Sequence, residues 1–168
     1  SSDLIVGVEV ATIGSDQGQM VPMIEQVRER CGQTPEAWLV DGGFVGHEQV
    51  EQASAHTTVY GPVPAAKDKA VDPHQPKPDD SPGVAAWRAR MGTDEAKAIY
   101  KNRAATAECV NAHSRNRGLQ QFRVRGLAQV KCVVLFFALA HNLMRMASLA
   151  PEMLAFGKGA SAVSGIGA

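Results

Sequence analysis

The sequence predicts an α/β domain in which helices flank an open sheet, and three observations lead there. Leu4 to Ala11 alternates, with Val6, Val8 and Val10 on one face and Gly7 and Glu9 on the other, the period of a strand buried more deeply on one side. Two further apolar runs, Ala37-Trp-Leu-Val-Asp41 and Thr57-Thr-Val-Tyr60, each follow a stretch with helical spacing. Strand, helix, strand, helix, strand is the order that parallel pairing with right-handed crossovers produces. At 168 residues the chain fits one domain with a core large enough to be stable.

Each element has its own warrant. Ser15 or Asp16 is placed to cap the first helix, where Met20, Ile24, Val27 and Cys31 recur at three-to-four spacing and Gly32 is a natural stop. Pro22 is tolerable there only because it lies near the first turn. The second strand ends in the tight turn Asp41-Gly-Gly, and His47 to Ala55 reads as the second helix before the third strand, which Gly61-Pro62 closes. Prolines at 62, 64, 73, 76, 78 and 82 and a near absence of large apolar residues make 62–83 an expected extended, mobile loop with no core of its own. Val84 to Met91 is a short helix; Gly92-Thr93 then breaks and caps, with Asp94 and Glu95 at the positive end of a helix running to about Asn116. Gln121 to Arg125 is either extended or a helical turn. Leu127 to about Leu149 is a last helix whose apolar middle is expected against the sheet. The tail from 150 to 168 is rich in small residues and reads as flexible.

The formal net charge is zero, yet the charge is divided. Ser1 to Tyr60 holds nine acids against Arg28 and Arg30, whereas Lys97 to Lys131 holds eight bases and one acid, Glu108. Such asymmetry orients an anionic ligand toward one side of a molecule, although solvated helix faces produce it too. Cys31, Cys109 and Cys132 are odd in number and form no CxxC, which argues against a disulfide framework or a zinc ribbon and fits a reducing, cytosolic compartment. Cys109 and His113 are four apart on one helix, but without a second Cys/His pair nearby in sequence they read as core or surface residues. No signal peptide opens the chain, and the longest apolar run, Cys132 to Ala140, falls short of the roughly 20 residues of a membrane span. A buried helix is the expectation there, with no membrane partner.

The residues that can carry chemistry are Asp41, at the carboxyl end of a strand where open sheets place functional groups, and Glu108, alone among cations. On a helical wheel Lys97, Ala104, Glu108, Asn111 and Arg115 share one face, with Tyr100 toward its edge and Arg103 further round. Two carboxylates brought together from a strand end and a helix offer the hard oxygen ligands that Mg²⁺ or Mn²⁺ prefer. The competing reading is plain: Asp before Gly-Gly is a turn residue, and Glu in a basic helix is a surface ion-pair partner. A phosphate turn at Asp41-Gly-Gly-Phe-Val-Gly46 is a weaker alternative, because the string lacks GxGxxG spacing.

Several segments together resemble the C-terminal part of a DDE-type transposase of bacterial insertion sequences, within the ribonuclease H-like superfamily. They are Leu4-Ile-Val-Gly-Val-Glu-Val, Gly14-Ser-Asp-Gln-Gly-Gln-Met, Leu39-Val-Asp41-Gly-Gly-Phe, the Tyr100 to Arg115 helix, Arg125-Gly-Leu, and Ala138-Leu-Ala-His-Asn-Leu. The resemblance spans roughly Leu4 to Met146. In that family the second acid follows the central strand, matching Asp41, and the last lies on a late helix in a pattern of Tyr, Arg, Glu and a basic residue, matched by Tyr100, Arg103, Glu108 and Arg115. Four residues separate Arg103 from Glu108 where related branches have three, and Arg115 stands where lysine is usual; arginine can still hold phosphate, with a planar, bidentate donor set.

The resemblance implies a ribonuclease H-like mixed sheet with flanking helices, lacking its first strand or strands, over residues 1–149. It implies metal-dependent DNA cleavage and strand transfer at insertion-sequence ends, with Asp41 and Glu108 as catalytic metal ligands for Mg²⁺ or Mn²⁺. Tyr100, Arg103, Arg115, Arg117, Arg123 and Arg125 become the expected DNA contacts, to transposon ends and target in a homo-oligomer, in the bacterial cytoplasm and on the nucleoid. The family's first acid belongs to an earlier strand, so the expectation is that it lies upstream of Ser1; Asp3 would sit at a hairpin tip and Asp16 at a helix cap. The alternative is a non-catalytic remnant that binds only DNA or protein.

Overall fold

The computed structural model describes residues 3–150, and among them the side chains of all but Ala105, Thr106, Glu108 and Cys109. Its elements are α1 (Met20–Cys31), β1 (Ala37–Leu39), α2 (His47–Ser54), β2 (Thr58–Tyr60), α3 (Pro82–Met91), α4 (Asp94–Asn116) and α5 (Leu127–Leu149). This is a small mixed α/β arrangement: β1 and β2 pair in parallel, with Ala37 opposite Thr58, Trp38 opposite Val59 and Leu39 opposite Tyr60. The backbone bonds Thr58 N to Glu36 O and Val40 N to Tyr60 O, both 2.9 Å, extend that ladder at its ends. Of the predicted tail, 150–168, residues 151–168 lie outside the described residues.

The expected first strand is corrected: residues 4–11 join no ladder among the described residues. Side chains satisfy their backbone instead. Asn142 of α5 both accepts from Ile5 N and donates to Ile5 O at 2.8 Å, Gln26 of α1 accepts from Val8 N at 2.7 Å, and Arg30 donates to Val6 O at 3.1 Å. Alternation states which residues would share a face; it does not supply a neighbouring strand, and here side-chain amides meet the backbone's obligatory hydrogen-bonding demand. Asp3 is likewise not at a hairpin tip. Its carbonyl lies 2.8 Å from His141 Nε2 and its carboxylate 3.1 Å from Arg145.

The core lies among α1, α2, α3 and the two strands, where Met20, Ile24, Val50, Val59, Val84 and Trp87 are buried. Helix α1 begins at Met20, so neither Ser15 nor Asp16 is its cap; Gln19 holds that position without a side-chain bond. The Ser15 hydroxyl and Asp16 carbonyl instead accept from Gln17 N and Gln19 N within the preceding turn. Gly32 ends the helix with φ 72°, a left-handed conformation that glycine adopts without steric penalty. Trp87 is completely buried, and its Nε1 donates to Gly61 O at 3.1 Å. Gly61 itself is required by packing: a Cβ there would come within 2.8 Å of Val45 Cγ2 and 2.9 Å of Val40 Cγ2.

The connection between β2 and α3 has no helix or strand, but a charge network holds its end. Arg88 and Asp80 form an ion pair at 2.7 Å with both side chains 4% exposed, and Arg88 also donates to Pro73 O. Burial, the largest single influence, pushes the Asp80 carboxyl up. The Lys77 N–H, the Arg88 hydrogen bond and the positive charge of Arg88 more than offset it, leaving the pKa below the ordinary aspartate range. Glu51 of α2 accepts from the Ser81 hydroxyl and from Gly83 N, setting a carboxylate at the N-terminus of α3, where the unpaired N–H groups favour negative charge.

Helix α4 starts as its sequence implies, with Thr93 Oγ1 accepting from Ala96 N and two acids in the first turn. The expectation for α5 is corrected. It packs on α4 rather than on the sheet, and its apolar side chains are largely exposed, Phe136 by 66% and Leu139 by 53%. By length and composition α5 is long and apolar enough to cross a membrane, a property it shares with core helices of soluble proteins. An apolar helix is buried only where other elements cover it, and among the described residues α4 and segment 3–9 meet only part of its circumference.

Candidate active site

Asp41 stands two residues beyond β1, at the carboxyl end of the parallel pair. Its Oδ1 accepts from Gly43 N at 3.0 Å and its carbonyl from Phe44 N at 3.2 Å, so the residue does form the Asx turn that Asp-Gly-Gly favours. The turn does not consume the carboxylate. Oδ2 faces Arg103 Nη1 of α4 at 3.9 Å, and the Asp41 side chain is 47% exposed, leaving oxygen available to a ligand from solvent.

Helix α4 reaches this point through Tyr100, which packs against the core, and Arg103, whose guanidinium lies 5.7 Å from the Tyr100 ring centre. Stacking and partial burial pre-orient the arginine toward Asp41. Between β1 and α4 runs an open groove lined by Leu39, Asn102, Arg103, Ala107, Val110 and Asn111, with a volume of about 430 Å³. Small Ala107 and polar Asn111 leave room and donors beside the strand end. Glu108 belongs to the backbone of α4, and its side chain lies outside the described residues.

A second carboxylate arrives that sequence reasoning had set aside. A Cβ built on Gly43 would lie 3.2 Å from Asp16 Oδ2 and 3.3 Å from Asp41 Oδ1, so the two acids converge over a residue without a side chain. The sequence carries a faint signal for this: Asp16 precedes the helix by four residues, too far for a cap, and Gly43 is the second of two glycines. Arg115 is exposed near the end of α4, Arg117 is its C-cap, and Arg123 and Arg125 are exposed in the connection to α5.

Carboxylate oxygens at the strand end are the donor chemistry that Mg²⁺ or Mn²⁺ takes, and half-exposed Asp41 suits an ion that keeps several waters. Among the described residues, no three His, Cys, Asp or Glu side chains form a group able to hold a metal ion.

Residues 74–147 match the model of a family described as a transposase DDE domain. The segment is a partial DDE-type transposase domain, taking in the end of the β2–α3 connection, α3, α4 and most of α5; Glu108 falls within it and Asp41 precedes it. No curated protein and no solved structure matches the chain.

Proposed function

Starting from the partial DDE-type transposase domain in residues 74–147, we propose that this chain is part of a ribonuclease H-like catalytic domain that cleaves DNA at insertion-sequence ends and transfers the freed 3′-hydroxyl to target DNA. The observation that carries the reading is the 3.9 Å approach of Arg103, on the family-matched helix, to Asp41 at the strand end. It brings the backbone of the Glu108 helix to an acid distant in sequence.

In this reading Asp41 and Glu108 hold Mg²⁺ or Mn²⁺, which when bound would activate the attacking oxygen and stabilise the leaving one. Asp41 keeps one oxygen toward the Gly43 N–H, which fixes its rotamer, and turns the other toward Arg103. Arg103 neutralises that carboxylate and offers a bidentate fork to a phosphate entering from α4. Exposed Arg115, Arg117, Arg123 and Arg125 supply phosphate contacts that position DNA without reading its sequence. The family chemistry uses three acids, and no third is assigned here.

The test is a metal-dependent cleavage and strand-transfer assay on protein carrying this chain, with Asp41→Ala and Glu108→Ala as the decisive variants. Activity should fall to background in both, and undiminished activity in either rejects the assignment. DNA binding that survives both changes, unaffected by metal and without any strand transfer, would favour the non-catalytic reading. Arg123→Ala with Arg125→Ala should also weaken binding across all sequences and reduce the slope of log affinity against log salt by roughly 0.9 per lost phosphate contact on duplex DNA. An unchanged slope would remove these two residues from the DNA interface.

A further inference from the structure

We propose that the cavity between the β2–α3 connection and the start of α2 binds a nucleoside monophosphate, free or as the 5′-phosphorylated end of a DNA strand. The cavity has a volume of about 460 Å³, and its polar walls are His47, Lys67, Asp68, Lys77 and Arg88. It lies at the carboxyl end of the parallel pair, because α2 opens at His47 shortly after β1 and residues 61–68 lead directly out of β2. Crevices at that end of the strands are where open α/β sheets take ligands.

Arg88 gives the cavity a fixed shape. All three of its nitrogens are engaged by protein: Nε by Asp80 at 2.7 Å, Nη1 by Pro73 O at 3.1 Å and Nη2 by His47 Nε2 at 3.1 Å. A guanidinium can only donate, so His47 Nε2 accepts and the ring's hydrogen sits on Nδ1. That N–H has no partner among the described residues, and the buried arginine holds the ring that carries it. The charge of Arg88 is already answered by Asp80, so Arg88 shapes the wall and others meet the ligand.

The charges left for a ligand are those of Lys67 and Lys77, both exposed and without an ion pair among the described residues. Against them stands Asp68, whose Oδ1 already accepts from Ala70 N. Glu48, Glu51 and Asp79 line a separate cavity that shares only His47 with this one, which leaves the lysine side as the one that favours an anion. Two ammonium groups and an imidazole N–H suit the three terminal oxygens and the charge of a phosphomonoester better than they suit a planar carboxylate. The volume exceeds what a phosphate group alone fills and falls within the roughly 300–1,000 Å³ of small-molecule sites. Pro64, Val71 and Pro73 add apolar walls for the organic part. That this part is a nucleoside rests on the reading of the chain as a DNA-processing domain.

The test is calorimetric titration of the chain, in the presence of a metal chelator, with thymidine monophosphate, thymidine, ribose 5-phosphate and inorganic phosphate. The monophosphate should bind with one site per chain, and each of the other three at least about 10-fold more weakly. Lys67→Ala combined with Lys77→Ala should leave the circular dichroism intact and weaken the monophosphate by about 10-fold or more, the loss expected of charge-assisted contacts. His47→Ala should weaken it as well. Competition by a short 5′-phosphorylated oligonucleotide, but not by its 5′-hydroxyl counterpart, assigns the site to a strand end; competition by neither assigns it to the free nucleotide. No saturable binding of the monophosphate, thymidine binding as tightly, or unchanged affinity in the double lysine variant overturns the site. Ribose 5-phosphate or inorganic phosphate binding as tightly overturns the nucleoside while leaving an anion site. No metal and no strand transfer enters these measurements, so their failure is distinguishable from failure of the test on Asp41 and Glu108.

Discussion

Among α1, α2, α3 and the two strands the apolar side chains meet one another, whereas along α5 most of them face outward. Val50, Val59 and Trp87 are wholly buried, yet Phe136, Leu139 and Leu143 of α5 are between 48% and 66% exposed. The first region has two parallel strands with α1, α2 and α3 packed around them, each presenting an apolar stripe to the others. Helix α5 is apolar over much of its surface and has α4 as its helix neighbour. Composition sets how strongly a helix favours burial; the elements around it decide whether burial occurs.

The largest expected effect breaks the comparison at its strongest point. Trp87→Ala removes a fully buried ring and its bond to Gly61 and should cost about 3–5 kcal/mol in urea unfolding. A loss below about 1 kcal/mol would mean the first region is not the cooperative core.

Next comes the Asp80–Arg88 pair. Asp80→Asn strands a buried guanidinium and should destabilise by about 3 kcal/mol, and Arg88→Met should be similarly harmful, while replacing both by apolar residues should cost much less. Because the Asp80 pKa is lowered on folding, its contribution is complete above the ordinary value near 3.8 and is lost as pH falls through the lower folded value. Acid unfolding of Arg88→Met should therefore be less steep in that window; an identical pH profile would show that the pair contributes nothing there.

Gly61→Ala is an intermediate case. The added methyl would come within 3 Å of Val40 and Val45, and overpacking of this kind costs about 1–3 kcal/mol, read as a lower melting temperature. Smallest of all should be Phe136→Ala on α5, within about 0.5 kcal/mol of the parent. A loss of 2 kcal/mol or more there would show that the exposed face of α5 is covered in solution, and concentration dependence of that loss would point to a second copy.

The candidate site shows where legibility in the sequence ended. Asp41 could be singled out because strand ends in parallel sheets are where side chains reach open space, and the helix of Tyr100 and Arg103 because its pattern is periodic. The approach of Arg103 to Asp41 across sixty-two positions, and the convergence of Asp16 on Gly43, depend on how α1 and α4 settle around the strands. His113 reads in the sequence as a core or surface residue; only the packing of α4 on α5 sets its ring beside that of His141.

What the sequence by itself determined are the local matters: α1 to α5 with their stops at Gly32 and Gly92, the Thr93 cap, and the β1–α2–β2 unit, because hydrophobic period and backbone preference act over a few residues. Only the tertiary structure decided that residues 4–11 would bond to Gln26 and Asn142 instead of entering the sheet, and that α5 would pack on α4 with its apolar side uncovered. Those outcomes turn on which partner satisfies a backbone group or an apolar face, and partners distant along the chain are chosen by the free energy of the whole arrangement.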